Sequence, residues 1–248
     1  MLLQADTETE YKKTVNFNGH TIVTNLHYLY QMTTMLNNGF SVLVFICGKQ
    51  RMGKSKVGVW HTLFFNKIFN KPIIKDFSKT AYYDPEKIIG NIEHRSCVMI
   101  DEASTLFSRR QWWRVTNNCM NDVLNSQQNK NFAFFMIAPF FCDMDNAITK
   151  HFDYVIRLYG RGMFKVFKVS KKYDAINVKD ATWRYFLDEC YMSNYEVPDD
   201  IWMAYEKYSF AQKELLRQRS KRQVSMSIDN DLDFLTATGK NKEVDIYG

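Results

Sequence analysis

The sequence lacks the features that mark secreted, metal-bound or membrane-spanning proteins. Its five cysteines are scattered and none forms a CxxC pair, which argues against a structural metal and is typical of a reducing compartment. The longest apolar run, "FAFFMIAPFFC", is too short to cross a bilayer and is interrupted by Pro139. The N-terminal stretch has no apolar segment of the signal-peptide type. We therefore expect a soluble, intracellular protein with no integral membrane segment.

Composition predicts a folded chain rather than a disordered one. Of the 248 residues, 46% are hydrophobic and 15% are aromatic, so a full core can be buried. The net charge of +6 permits an anionic partner but does not demand one. No internal repeat is visible, and the histidines show no spacing typical of metal ligands.

Apolar segments alternate with segments of helical periodicity, which predicts an α/β fold. A segment around "TIVTNLHYLYQMTTMLNNG" has helical spacing, with Gly39 as its stop, and "KSKVGVWHTLFFNKIF" also has the period of a helix. The predicted strands are "SVLVFI", "RSCVMID", "FAFFMIAP" and "DYVIRLY". Because continuous apolar strands are typical of parallel sheets, we predict a mainly parallel central sheet covered by helices.

The C-terminal part has a different pattern. Two strand-like runs flank the stretch from Gly160 to Gly162, which predicts a β-hairpin. A long helix is predicted to begin at Pro198, because a proline and two acids there favour a helix N-terminus. The predicted organisation is an N-terminal extension (1–39), a core (40–175), a helical C-terminal extension (176–223) and a flexible polar tail (224–248).

The stretch between the first apolar strand and its helix matches the phosphate-loop pattern GxxxxGK[ST]. Glycines let such a loop wrap so that its backbone N–H groups point at phosphate oxygens, and the helix N-terminus adds its positive dipole end. The lysine reaches the β- and γ-phosphates. The predicted ATP-binding residues are Gly48, Lys49, Gln50, Arg51, Met52, Gly53, Lys54, Ser55 and Lys56.

A second apolar strand, in "CVMIDEAS", ends in Asp101 and Glu102. Acids often end strands, but beside a phosphate loop this pair predicts hydrolysis. Ser55 and Asp101 are the predicted Mg²⁺ residues, while Glu102 and Lys54 are predicted to be catalytic, with Glu102 polarising the attacking water. The sequence has no guanine-reading NKxD motif, which favours ATP over GTP. These motifs indicate a P-loop NTPase of the ASCE type.

The stretch "DEASTLFSRRQWW" resembles the D-E-A-x-x-x-F-x-x-R pattern of Zot-like ATPases in the FtsK–HerA superfamily, with Phe107 and Arg110 at the matching positions. These are DNA-pumping and virus-assembly motors, and the likeness extends loosely over residues 40–170. It implies a homo-oligomeric ring, a hexamer or pentamer, that packages double-stranded viral DNA. Capsid or membrane-vertex proteins would be its partners, and the host cytoplasm or the virion its location. Where the family has a γ-phosphate-sensing glutamine, this chain has Ala138, Pro139 and Phe140.

The resemblance also implies roles for residues beyond the two motifs. Arg109 or Arg110 is a candidate arginine finger acting on a neighbour in the ring, with a surface salt bridge as the alternative. Lys130 is a candidate trans-acting base. Trp112 and Trp113 could stack on bases, although packing is the more common role of neighbouring tryptophans.

Basic residues of the predicted hairpin, Arg161, Lys165 and Lys168, are candidate DNA contacts, with a solvated surface as an equal alternative. We expect this hairpin to lie away from the nucleotide loop. Two other functions stay open: a Zot-like ATPase for virion assembly or extrusion, and a nucleotide-gated scaffold that moves nothing.

Overall fold

A computed structural model describes residues 13–17, 20–24, 26–71, 81–82, 93–107, 118, 120, 122, 124–125, 130–169, 183–191 and 196–237. Its strands are β1 (Lys13–Phe17), β2 (His20–Thr24), β3 (Val42–Cys47), β4 (Ala81–Tyr82), β5 (Cys97–Ile100), β6 (Ala133–Ala138), β7 (Tyr154–Gly160), β8 (Met163–Val169) and β9 (Trp183–Tyr191). Its helices are α1 (His27–Asn37), α2 (Lys54–Ile68), α3 (Ala103–Leu106), α4 (Asn146–Thr149) and α5 (Asp199–Ala237), with a 3-10 turn at Phe141–Asp143.

Seven strands form one sheet in the order β4-β5-β6-β3-β7-β8-β9, while β1 and β2 form a separate antiparallel pair. Five neighbouring strands run parallel, namely β4, β5, β6, β3 and β7. Strands β8 and β9 then continue the sheet in antiparallel pairing. Strand β3 therefore lies inside the sheet, between β6 and β7. Strand β6 also separates β3 from β5, so one strand lies between the two strands that lead into the sequence motifs.

The inner parallel strands are buried along their whole length. Every residue of β3, β5 and β6 is buried, as expected for strands covered on both faces. On one face, the core cluster includes Phe45, Phe134 and Phe152, and it extends to Phe107 beyond β5. The predicted mainly parallel, helix-covered sheet is thus confirmed.

Helix α2 packs closely on the sheet through Gly58. A Cβ atom at this position would come within 2.6 Å of both Ile137 Cδ1 in β6 and Met99 Sδ in β5. Glycine therefore lets the helix that follows the phosphate loop approach these strands directly. This packing fixes the helix axis, and with it the position of the loop.

A buried histidine joins α1 to α2. His61 Nδ1 lies 2.7 Å from the carbonyl oxygen of Val57, so Nδ1 carries the proton and donates to it. His61 Nε2 then accepts from the Tyr28 hydroxyl at 3.0 Å. Burial lowers the pKa of His61 to about 4, although the bond to Val57 opposes the shift. The His61 ring is therefore neutral near pH 7, and it is a hydrogen-bonded part of the core.

The structure confirms the predicted helix before β3 and the predicted hairpin. Helix α1 ends at Asn37, and Gly39 follows with a φ of +83°, which glycine adopts without steric cost. The hairpin consists of β7 and β8, with residues 161 and 162 in the turn. Helix α5 begins at Asp199, directly after Pro198, as predicted.

Several segments differ from the predictions. Residues His20–Thr24 form a strand, whereas the predicted helical segment includes most of them. The predicted helical extension contains β9, which adds a third antiparallel strand beside the hairpin. Helix α5 continues to Ala237, so residues 224–237 of the predicted tail are helical. Their polar composition indicated solvent exposure, but no glycine or proline interrupts the chain between Pro198 and Gly239, and the helix continues.

Backbone contacts divide the chain into two units, Met1–Ala204 and Tyr205–Gly248. The first unit contains both sheets, and the described part of the second is the remainder of α5. The domain boundaries at 39, 175 and 223 stay predictions. Within the described ranges, no helix combines the length and hydropathy that a transmembrane segment requires.

Candidate active site

The loop between β3 and α2 has the backbone conformation that a phosphate cradle needs. Gly48 has a φ of +150° and Gly53 a φ of +92°, where glycine is favoured. Arg51 also has a positive φ, +63°, which costs a residue with a side chain about 1–2 kcal/mol. Strain of this kind is concentrated at functional sites. At the start of the loop, the Gly48 N–H donates to the Pro139 carbonyl at 3.1 Å.

The Lys54 ammonium lies over the loop. Its Nζ donates to the carbonyl oxygens of Gly48 at 2.8 Å and Lys49 at 2.9 Å. Lys54 is also the first residue of α2, a helix of 15 residues. The N–H groups of the first helical turn, which have no acceptor within the helix itself, therefore lie beside the lysine, where they can bind an anion.

The structure brings the two sequence motifs together through Ser55 and Asp101. The Ser55 hydroxyl donates to Asp101 Oδ2 at 3.0 Å, and the Glu102 N–H donates to Asp101 Oδ1 at 2.9 Å. Asp101 is buried, with 2% of its surface exposed, and these two donors satisfy its carboxylate. A hydroxyl beside a carboxylate is an oxygen donor set that suits Mg²⁺, which binds few protein ligands and keeps several waters.

Glu102 occupies a sharp bend at the end of β5. Its φ of +54° and ψ of +38° are left-handed, and the short helix α3 begins at the next residue. Glu102 is half-buried, and its backbone N–H contacts Asp101, the partner of Ser55. A residue with a side chain is strained in this conformation, so the site holds two such residues, Arg51 and Glu102. The role of Glu102 as a base stays a prediction.

The tip of β6 holds no glutamine. Ala138 is buried, the Pro139 carbonyl accepts the bond from Gly48, and Phe140 has 54% of its surface exposed. Beside the loop on β3, burial raises the pKa of Cys47 to about 12, while Arg157 and Lys54 partly oppose the shift. The Cys47 thiol is therefore protonated near pH 7 and is not a nucleophile.

The predicted hairpin position is wrong. The Gly162 N–H in the β7–β8 turn donates to the Met52 carbonyl of the phosphate loop at 3.1 Å. Strand β7 also contacts the loop, because Leu158 lies against Gly48. The sequence predicts the turn from its glycines, but nothing in it indicates which loop the turn contacts. Another contact that the sequence did not indicate joins Lys56 to the Trp202 ring, with Nζ 5.9 Å from the ring centroid.

The other predicted site residues have varied positions. Arg161 and Lys168 are exposed, and Lys165 lies 3.7 Å from Glu189. Lys130 is half-buried at the turn before β6, where its carbonyl accepts from Arg95 N–H at 3.0 Å. The candidate finger residues and the neighbouring tryptophans lie outside the described residues: Arg109, Arg110, Trp112 and Trp113.

Strand order and motif positions together define a P-loop NTPase fold of the ASCE type. The parallel strands have the order β4-β5-β6-β3-β7, in which the additional strand β6 separates the loop strand β3 from the acid strand β5. The loop follows β3 and the acidic pair follows β5. Both therefore lie at the carboxyl ends of parallel strands, where α/β proteins bind ligands.

Comparison with known proteins adds distant structural similarity. No family model matches the chain, and no curated protein matches it. The genome-packaging NTPase B204 of Sulfolobus turreted icosahedral virus 2, in complex with ATP-gammaS, aligns at a TM-score of 0.40 and 15% identity, covering 51% of this chain and 91% of B204. The N-terminal domain of zonular occludens toxin from Neisseria meningitidis aligns at 0.35 and 16%, covering 52% and 83%. These TM-scores and identities are too low to support an argument, so the fold assignment rests on the order of the strands in the sheet.

Proposed function

We propose that this protein is an ATP-hydrolysing motor that moves DNA. One observation carries the enzymatic part of the proposal: Lys54, Ser55, Asp101 and Glu102 come from separate motifs but lie in one site. The 3.0 Å contact between Ser55 and Asp101 joins the loop to the acidic pair. This combination of phosphate-binding amides, a cation and two carboxylates supports hydrolysis of a nucleoside triphosphate.

In the proposed reaction, water attacks the γ-phosphorus of ATP and the bond to the β–γ bridging oxygen breaks, which yields ADP and phosphate. Glu102 accepts the proton of the attacking water. Lys54 and the amides of the loop and of α2 bind the triphosphate and stabilise its developing charge. Ser55 and Asp101 would hold Mg²⁺, which neutralises phosphate charge when it is bound. ATP is favoured over GTP because the sequence has no guanine-reading motif.

The DNA part of the proposal rests on the sequence resemblance and on local charge. The D-E-A-x-x-x-F-x-x-R pattern is typical of motors that pump DNA or assemble virions, which supports packaging of double-stranded viral DNA by a ring of identical chains. In such a ring, Arg109 or Arg110 would reach a neighbour's nucleotide. Exposed cations of the hairpin, above all Lys168, could contact the phosphate backbone. Capsid or membrane-vertex proteins would be the docking partners.

Two alternatives follow from different features. A Zot-like ATPase for virion assembly or extrusion has the same motif and would act on single-stranded DNA or coat protein. A nucleotide-gated scaffold needs only the phosphate loop, because it binds a partner in one nucleotide state without moving anything. The choice among the three depends on which polymer stimulates hydrolysis.

The test is the rate of ATP hydrolysis by the full chain, measured alone, with duplex DNA and with single-stranded DNA, alongside its native mass. The proposal predicts an oligomer whose turnover rises with duplex DNA, and binding that weakens with salt because phosphate contacts release counterions. Stimulation by single-stranded DNA alone would favour the extrusion ATPase. A chain that hydrolyses ATP but binds neither DNA at low salt would contradict the motor and favour the scaffold.

A further inference from the structure

The β7–β8 hairpin contacts the phosphate loop at two separate points. In the turn, the Gly162 N–H donates to the Met52 carbonyl at 3.1 Å. At the end of β7, a Cβ atom placed on Gly48 would lie 2.8 Å from both the Cβ and the carbonyl oxygen of Leu158. The first residue of the loop therefore packs directly against the strand, and a later loop residue is bound by the turn. The hairpin therefore packs directly against the phosphate loop.

The turn carries a cation next to its contact with the loop. Arg161 is exposed and precedes Gly162, the residue whose amide contacts the loop. Because consecutive Cα atoms are about 3.8 Å apart, the Arg161 side chain starts one residue from that contact. Gly162 has a φ of +72°, which a glycine accepts readily, so the close turn places the arginine without straining it.

Positive charge is concentrated around the loop. Lys49 and Arg51 are exposed on the loop itself, and Lys54 lies over it. Within the described part of the chain, none of the ion pairs involves Lys49, Arg51 or Arg161. Neighbouring like charges repel one another, and a bound anion removes that cost. A triphosphate is an anion of sufficient charge for several cations.

We infer that the β7–β8 turn is one wall of the nucleotide site and that Arg161 binds the polyphosphate of ATP bound to its own chain. This inference rests on the proposed function, since it assigns a further residue to the same site. A guanidinium suits the role because it stays charged and donates to phosphate oxygens in a bidentate manner. This role differs from that of an arginine finger, which acts on the nucleotide of a neighbouring chain. Arg161 and the nucleotide that it binds belong to the same chain.

Two of the residues predicted to contact DNA lie at different ends of the hairpin. Arg161 lies at the turn beside the loop, whereas Lys168 pairs with Tyr154 at the opposite end of the hairpin. Lys168 therefore remains a candidate DNA contact, and Arg161 is assigned to nucleotide binding. Charge removal at Arg161 should act on ATP affinity whether or not DNA is present.

The experiment measures the affinity of the full chain for ATP, ADP and AMP, each with Mg²⁺, by titration calorimetry without DNA. The variants are Arg161→Ala, Arg161→Lys and Lys54→Ala. Lys67→Ala is the matched control, because Lys67 is an exposed lysine in the last turn of α2, away from the loop. Thermal unfolding checks that each variant is folded, and the conservative lysine variant serves if the alanine variant is not.

Loss of a charge-assisted bond predicts a roughly 10- to 100-fold weaker ATP affinity for Arg161→Ala. Arg161→Lys should recover part of the loss, Lys67→Ala should match the wild type, and AMP affinity should change much less than ATP affinity. If Lys54→Ala weakens ATP binding but both Arg161 variants bind like the wild type, this inference fails and the proposed function stands. If the wild type binds no ATP, both fail.

Discussion

The parallel strands of the sheet and its antiparallel edge, β8 and β9, differ in which of their side chains are exposed. In β3, β5 and β6 every side chain is buried, so polar residues can be presented only where these strands end. In β8 the more exposed residues, such as Lys165, alternate with buried ones. Residues of this edge can therefore contact solvent or a ligand along the whole strand.

This difference explains where chemistry can occur in the molecule. The loop, the acidic pair and the Pro139 carbonyl all follow the carboxyl ends of parallel strands, where they meet in one place. By contrast, Arg157, Lys165 and Glu189 lie in register across β7, β8 and β9. Such a row suits an extended contact better than a reaction centre. The hairpin reaches the phosphate loop elsewhere, through Gly162 in the turn and Leu158 in β7.

The largest predicted effect lies at the end of a parallel strand. Lys54→Ala should lower ATP turnover by roughly 10³-fold or more, because the loop loses the charge that stabilises the transferring phosphate. Lys67→Ala, near the other end of the same helix, should leave turnover unchanged. Steady-state hydrolysis with saturating ATP measures both. Equal rates for the two variants would mean that the loop is not the reaction centre.

Gly48→Ala tests the junction between the loop and the hairpin. Its Cβ would lie 2.8 Å from the Leu158 backbone oxygen, and the φ of +150° is unfavourable for alanine. We expect a loss of about 4 kcal/mol in the free energy of unfolding, from overpacking and backbone strain together.

Gly39→Ala is the control for this substitution. Gly39 also has a positive φ, +83°, but within the described part of the chain no heavy atom beyond its two chain neighbours lies within 4 Å of an added Cβ. Only the conformational cost of about 1–2 kcal/mol is therefore expected. Urea unfolding measures both variants, and equal losses would argue against a tight contact between the loop and β7.

His61 lies beneath both parts of the sheet, with ring centroids 5.2 Å from Phe135 of β6 and 6.5 Å from Phe164 of β8. Its pKa is about 4 in the folded chain, below the usual 6.5. The unfolded chain therefore binds the proton more readily. The stability from neutral His61 is complete above pH 6.5 and is lost as the pH falls toward 4, by at most about 3 kcal/mol.

Unfolding free energies of the wild type and His61→Gln, measured between pH 7 and 4, test whether protonation of His61 causes this loss of stability. Glutamine keeps a polar side chain but has no ionisable group, so its curve should be flatter over this range. Parallel curves would assign the acid sensitivity to other residues.

The smallest predicted effect lies on the antiparallel edge. Lys165 Nζ lies 3.7 Å from Glu189 Oε2, but both side chains are more than a third exposed. An exposed ion pair of this kind contributes about 0.2–1 kcal/mol. A double-mutant cycle with Lys165→Ala and Glu189→Ala should give a coupling energy in that range. A coupling energy well above 1 kcal/mol would contradict the description of this contact as an exposed ion pair.

The sequence predicts the local features of the site well because each depends on neighbouring residues. The phosphate-loop pattern, the apolar strand before it and the helix after it all lie between residues 40 and 70, and the structure confirms β3 and α2 there. The contact between Ser55 and Asp101 also follows from the motifs, because both lie at the carboxyl ends of strands in one parallel sheet.

Features that depend on distant pairing could not be predicted. The pairing of β9 with β8 is irregular, because its register shifts at two points. The sequence of β9 accordingly lacks the strict alternation of apolar and polar residues that predicts a half-buried strand. The contact of Gly162 with Met52 joins residues far apart in the chain, and only the path of β7 beside β3 brings them together. The sequence predicts the turn, but it does not indicate that the turn contacts the phosphate loop.

Hydrolysis by Glu102→Gln tests the central claim, that the acidic pair beside the phosphate loop forms an ATPase site, most directly. We expect ATP affinity to stay near the wild-type value, because glutamine preserves the size and polarity of the side chain. Hydrolysis under single-turnover conditions should fall by roughly 10²- to 10⁴-fold, because the amide accepts no proton from water. Glu196→Gln, at an exposed position before α5, should match the wild type. Wild-type hydrolysis by Glu102→Gln would contradict the proposed mechanism.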